Sequence, residues 1–184
     1  AERGVALVFG LHWMPLIGSH PRRDARQRAA CHGASYYACA GESSVALGVV
    51  RGRRPEVRLA SGLHGLAAAA IYAGRAGQGL HVSIYRLSDQ RYWLVGARAG
   101  VVLSRTDRLF DDAETARRAR ADVCRAVGLD DATGANTEIL SCPDFAAGSS
   151  HGATLYRLTM LEGVARRHRW SLAVACVSSL GLTL

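Results

Sequence analysis

Residues 91–112 read Arg91-Tyr92-Trp93-Leu94-Val95-Gly96-Ala97-Arg98-Ala99-Gly100-Val101-Val102-Leu103-Ser104-Arg105-Thr106-Asp107-Arg108-Leu109-Phe110-Asp111-Asp112, and their pattern decides the fold. Aromatic and β-branched residues over 91–97 predict a strand, Ala99-Gly100 a tight turn, and Val101–Arg105 a returning strand. Just upstream, Leu80–Leu87 predicts another strand, joined to the first by the turn Ser88-Asp89-Gln90. Links this short force antiparallel neighbours, so the three strands form a meander. Downstream, Asp111 with Glu114 three residues on has the form of an acidic capping box. It predicts a helix over 112–127, with Ala116, Ala119, Val123 and Val127 on one face and Gly128 as its stop.

Working outward, Val5–Phe9 predicts a first strand ended by Gly10, and Leu11–Leu16 an apolar, aromatic turn segment. Pro21 is suited to the first position of a helix that continues to His32 and stops at Gly33. Ser35–Ala40 and Val45–Val50 predict two strands around Gly41-Glu42-Ser43, followed by a basic loop over Arg51–Arg54. Leu63, Leu66, Ala67, Ala70 and Ile71 recur at helical spacing and predict an amphipathic helix whose alanines allow close approach to a sheet. Thr137–Cys142 predicts a further strand, Ala146–Gly152 a loop, and Tyr156–His168 a helix. The sum is an α/β (α+β) domain over residues 1–165, built on a mixed sheet with flanking helices.

The 184 residues are half apolar and one-fifth charged, as expected of a chain that buries a real core. All 23 basic residues are arginine, which removes several chemistries at once. Without lysine there is no phosphate-loop lysine, no Schiff base and no kinase-type ATP lysine. The net charge of +8 is uneven: residues 1–106 carry +9, residues 107–165 carry −4 and residues 166–184 carry +3. A basic chain invites a nucleic-acid hypothesis. No nucleic-acid motif accompanies the arginines, and most are expected on solvated faces.

The search for catalytic groups is unrewarding. None of the seven histidines forms H-E-x-x-H, and no G-x-S-x-G is present. Gly74, Gly77 and Gly79 follow a helix rather than precede one, the wrong order for a phosphate-binding loop. Asp111, Asp112 and Glu114 are accounted for by a helix N-terminus. The five cysteines, Cys31, Cys39, Cys124, Cys142 and Cys176, lack paired metal spacing and read as buried reduced thiols in a reducing compartment. One enzymatic alternative remains, a small soluble hydrolase using His151 and the Ser149/Ser150 loop. The expectation is a protein without enzymatic activity, cofactor or metal.

Residues 170–184 carry no charge and follow Arg166-Arg167-His168-Arg169. The run is shorter than the about 20 residues that span a bilayer. It reads as the start of a truncated transmembrane helix, with Arg166, Arg167 and Arg169 marking the cytoplasmic side. The alternative is a buried core element, because short apolar runs are ambiguous.

The segment 91–112 resembles the pilin accessory protein (PilO-type) family of type IVb pilus systems. Trp13 within Gly10–Leu16, and Tyr92, Trp93, Gly100, Thr106, Asp107 and Phe110, carry the likeness, and the arginines before the apolar run match its arrangement. The resemblance implies the cytoplasmic domain of a single-pass inner-membrane protein, a scaffold docking the assembly ATPase or other platform subunits, with homo-oligomers possible and no nucleic acid. It implies an actin-like (ribonuclease H-like) subdomain, as in the inner-membrane L component of type II secretion. Phosphate loops of actin-type ATPases carry Asp with Gly two residues later. No aspartate here has that glycine, so the expected fold serves as a binding surface.

Overall fold

The structure, a computed structural model, describes residues 5–17, 20–41, 46–50, 64–129, 139–142, 154 and 156–157. The first described half contains β1 (Val5–Val8), β2 (His12–Pro15), α1 (Pro21–Cys31), β3 (Tyr36–Ala40), β4 (Ala46–Val50) and β5 (His64–Ala67). The second contains α2 (Ala68–Ala76), β6 (Leu80–Arg86), β7 (Tyr92–Arg98), β8 (Val101–Val102), β9 (Arg108–Phe110), α3 (Ala113–Val127), β10 (Ile139–Ser141) and β11 (Tyr156–Arg157). One sheet is antiparallel in the order β11-β3-β4-β2. A second is mixed, in the order β10-β6-β7-β8 with β9 also on β7, and β1 pairs with β5 in parallel.

Helix α2 explains the layering. Residues 68–73 read Ala-Ala-Ala-Ile-Tyr-Ala, and every one is buried. A helix that is apolar all round has to be enclosed, and α2 packs on β3 on one side and on β7 and β8 on the other. The strands facing it alternate with period two. Trp93, Val95 and Ala97 of β7 point into this central layer, while Leu94 points outward under α3. Ala38, Ala40, Ala46 and Val50 face the central layer, and Cys39, Leu47 and Val49 face α1. Helices α1 and α3 thus cover the outer faces of the two sheets.

Local sequence sets both outer helices. Pro21 opens α1, where its missing N–H is not needed, and Gly33 at φ +63° turns the chain away. Ala25 and Ala29, one turn apart, are fully buried against the sheet. In α3 the buried line is Ala116, Arg120 and Cys124, at i, i+4 and i+8. Ala119, Val123 and Val127 on the expected face are half-buried beside it. Gly128 ends α3 in the left-handed region at φ +72°.

The meander and the mixed sheet follow the sequence reading, with five corrections. Within Leu11–Leu16, read as a turn, His12–Pro15 is a strand, since β2 pairs with β4 from His12↔Val49 to Pro15↔Ala46. β2 lies at the sheet edge, where proline is tolerated. Residues 64–67 are strand β5, not the first turn of a helix, and α2 starts only at Ala68. The third meander strand is split in two, with β8 and β9 pairing opposite ends of β7. The N-cap of α3 is Asp112, which accepts from the Thr115 amide at 2.7 Å, not Asp111. Tyr156–Arg157 is a strand paired with β3, where a helix was expected; residues 158–184 lie outside the described set.

Candidate functional site

Between β8 and β9 the chain makes a loop in which alternate roles are strictly divided. Leu103 N bonds back to Gly96 O at 2.9 Å, and the Thr106 hydroxyl donates to Leu103 O at 2.8 Å. Thr106 is fully buried, and its methyl packs closely over Gly96. A Cβ on Gly96 would stand 3.1 Å from Thr106 Cγ2. Arg105, at φ +67°, takes the backbone conformation that side chains disfavour. Asp107 then turns inward.

Four N–H groups converge on the Asp107 carboxylate. Oδ1 accepts from Gly10 N at 2.7 Å and from Trp93 Nε1 at 2.8 Å. Oδ2 accepts from Leu11 N and from Trp13 Nε1, both at 2.9 Å. The donors come from the β1–β2 connection, from β2 and from β7, so one carboxylate ties the two sheets together at one end. Complete burial pushes the Asp107 carboxyl above the ordinary carboxylate range, and the four donors, the indoles first, pull it back down. Burying an ion carries an effective penalty of several kcal/mol. Four charge-assisted bonds at about 1.5–3 kcal/mol each offset it only if nearly all are kept.

The ring orientations are fixed by packing. Trp93 is fully buried and meets Phe9 edge-on at 4.9 Å, Tyr72 edge-on at 6.3 Å and Tyr85 at 5.7 Å. Tyr72 is tied to Ser83 by a 3.0 Å hydrogen bond between their hydroxyls. Burial raises the pKa of both Tyr72 and Tyr85 above the usual phenol value.

Thus Trp13, Trp93, Thr106 and Asp107, scattered in the sequence, form one cluster. Tyr92 and Phe110 lie elsewhere: they oppose each other in register on β7 and β9, on the face under α3. Gly100 serves the tight turn between β7 and β8 at φ +76°. The backbone donors Gly10 and Leu11 had no signature in the sequence. Nor did Arg120, whose guanidinium is buried on α3 and donates from Nε to Val82 O at 3.2 Å.

Asp107 has little left to offer a substrate. A carboxylate has about four acceptor positions, and four donors fill them. The cluster is a clamp, and the chemistry it performs is positioning. It sets the 103–108 loop as a ridge between two clefts. One, of about 530 Å³, is lined by Phe9–His12, Val49, Val50, Arg105 and residues 107–109. The other, of about 630 Å³, separates the ridge from α3. Arg105 and Arg108 line both.

The remaining sequence candidates divide by location. Cys39 and Cys124 are buried as expected, whereas Cys31 is exposed at the end of α1 and Cys142 is only half-buried; Cys176 lies outside the described residues. Burial pushes the Cys39 and Cys142 thiols up. No group of three potential metal ligands occurs among the described residues. Ser149, Ser150, His151, Arg166, Arg167 and Arg169 lie outside them, as does the apolar run from residue 170. No helix of the described residues is long and apolar enough to cross a membrane.

No family model and no curated protein matches the sequence. Among solved structures, the chain is similar to the cytoplasmic domain of BfpC, with a TM-score of 0.56 and 13% identity, over 83% of this chain and 92% of that one. At that identity the likeness is one of fold.

Proposed function

We propose that this chain is the cytoplasmic domain of a platform protein in type IV pilus biogenesis, holding assembly components at the inner membrane without catalysing a reaction. The observation that carries the reading is the fold shared over 83% of this chain with the cytoplasmic domain of BfpC, a type IV pilus biogenesis protein. The parallel placement of β10 beside β6, reached through α3, suits an actin-like subdomain in which the meander supplies the first strands. The clamp adds support of a different kind. Its acidic group is consumed in joining two sheets, which suits a rigid docking body better than an active site.

The direct test is capture. The purified 184-residue chain, immobilised, is offered the assembly ATPase and the other platform subunits of the same pilus system. Retention of at least one at physiological salt is the expected result. Loss of all of them on washing, with the chain folded by circular dichroism, would overturn the reading.

A further inference from the structure

We propose that the cleft between the 103–108 ridge and α3 docks an acidic, apolar-anchored segment of a partner protein. The cleft holds about 630 Å³, more than a single side chain fills. Its floor is apolar: Phe110 is buried at its base, and Leu103 and Val123 are half-buried beside it. Its rim is basic, with the exposed Arg105, Arg108 and Arg118 facing one carboxylate, Asp122. Asp122 is already engaged by Arg125 at 3.3 Å, and Arg118 makes only a loose 3.7 Å pair with Glu114. Among the described residues Arg105 and Arg108 have no carboxylate partner. The Arg108 guanidinium instead lies 4.8 Å from the centre of the Phe110 ring, which holds its stem against the cleft floor.

Geometry and charge point to the same occupant. The left-handed backbone at Arg105 is followed by inward-facing Thr106 and Asp107, whose buried hydrogen bonds pre-set the shape of the ridge. Preorganisation of that kind lowers the cost of association. Two guanidiniums on one cleft rim favour carboxylates, through their forked N–H donors. The apolar floor calls for aliphatic or aromatic side chains between them. A bare phosphate chain would meet the rim but leave the floor uncovered, which is why a protein segment is preferred to nucleic acid. The assignment rests on the platform reading for the kind of partner, and on the cleft for its chemistry.

The probe is a short fluorescein-labelled peptide of Leu and Glu, titrated with the full chain and followed by anisotropy, alongside its Leu and Lys counterpart. Binding of the acidic peptide alone is expected, weakening as salt shortens the Debye length from about 10 Å at 0.1 M to about 3 Å at 1 M. Two variants avoid the core. Arg105→Gly with Arg108→Gln removes the charges and relaxes the backbone, and Ala126→Glu places a carboxylate at an exposed position on the cleft wall. Each should weaken binding roughly tenfold. Affinity unchanged from the parent in both variants, or no binding by the parent chain, overturns the proposal. So does displacement of the peptide by single-stranded DNA or phosphatidylglycerol vesicles at equal concentration, which would make the surface charge-selective only. Capture separates the two readings. If the parent chain and Ala126→Glu retain the assembly ATPase equally, the cleft assignment fails and the platform reading stands. If the parent retains no pilus component, the platform reading fails and the titration still decides the cleft.

Discussion

Gly48 lies against the Trp13 indole so closely that a Cβ at position 48 would stand 2.8 Å from Trp13 Cζ2. The two are cross-strand partners on β4 and β2. The missing side chain lets the indole lie across β4, and its Nε1 then reaches Asp107. A local packing detail on one sheet therefore controls a hydrogen bond to a loop of the other.

Gly48→Ala is expected to displace the indole and to destabilise the fold by about 1–3 kcal/mol, the usual range for overpacking. Urea denaturation measures it. An unchanged midpoint would mean that the ring has room to move aside.

Asp107→Asn tests the clamp itself. The amide has the same shape, but its NH2 meets two N–H donors that need an acceptor. A loss of about 3–5 kcal/mol is expected, as when one partner of a buried charged set is removed. A loss below 1 kcal/mol would show that the four contacts are ornamental.

Trp13→Phe and Trp93→Phe each remove one donor and keep most of the apolar area. Each is expected to lose about 1.5–3 kcal/mol, the range for a bond to a charged group. With both gone, the upward push of burial on the carboxyl is less opposed. A carboxyl whose pKa is higher in the folded chain favours folding below its unfolded value, and that contribution is lost as pH rises through the folded value. Stability of the double variant should therefore fall more steeply than that of the parent as pH rises from the carboxylate range towards neutrality. Parallel profiles would refute this.

Asp112 works in the opposite sense. Its bond to the Thr115 amide holds its pKa below the ordinary carboxylate value. The stability it adds is present above the unfolded pKa and disappears as pH falls through the folded one. Asp112→Ala should lower Tm at neutral pH and leave it unchanged in strong acid, whereas Asp111→Ala should leave Tm unchanged at both.

Elements with local signals were legible in the sequence. The β6–β7 hairpin, α1 between Pro21 and Gly33, and α3 ending at Gly128 each carry their own start, period and stop. The errors arose where a pattern crossed a junction. Leu63, Leu66, Ala67, Ala70 and Ile71 keep helical spacing, yet β1 captures residues 64–67 as a parallel strand. Leu11–Leu16 read as a turn segment because the edge position that lets Pro15 sit in β2 is decided by sheet order, which lies in the fold. Trp13, Trp93, Thr106 and Asp107 were singled out by resemblance alone. Nothing in the spacing of an aspartate and two tryptophans says that they meet, since the meeting depends on two sheets closing around α2. The two clefts were equally hidden, being properties of the ridge and its neighbours.

The long span of the clamp also sets an order of events during synthesis. Trp13 and its acceptor Asp107 are 94 positions apart. At about 5–20 residues per second, roughly 5–20 s pass between their emergence from the ribosome. Through that interval the Gly10 and Leu11 amides and the Trp13 indole have no carboxylate, although β5, the partner of β1, has emerged well before its end. The clamp can therefore close only once more than half of the chain has been made, and the domain becomes a finished object late.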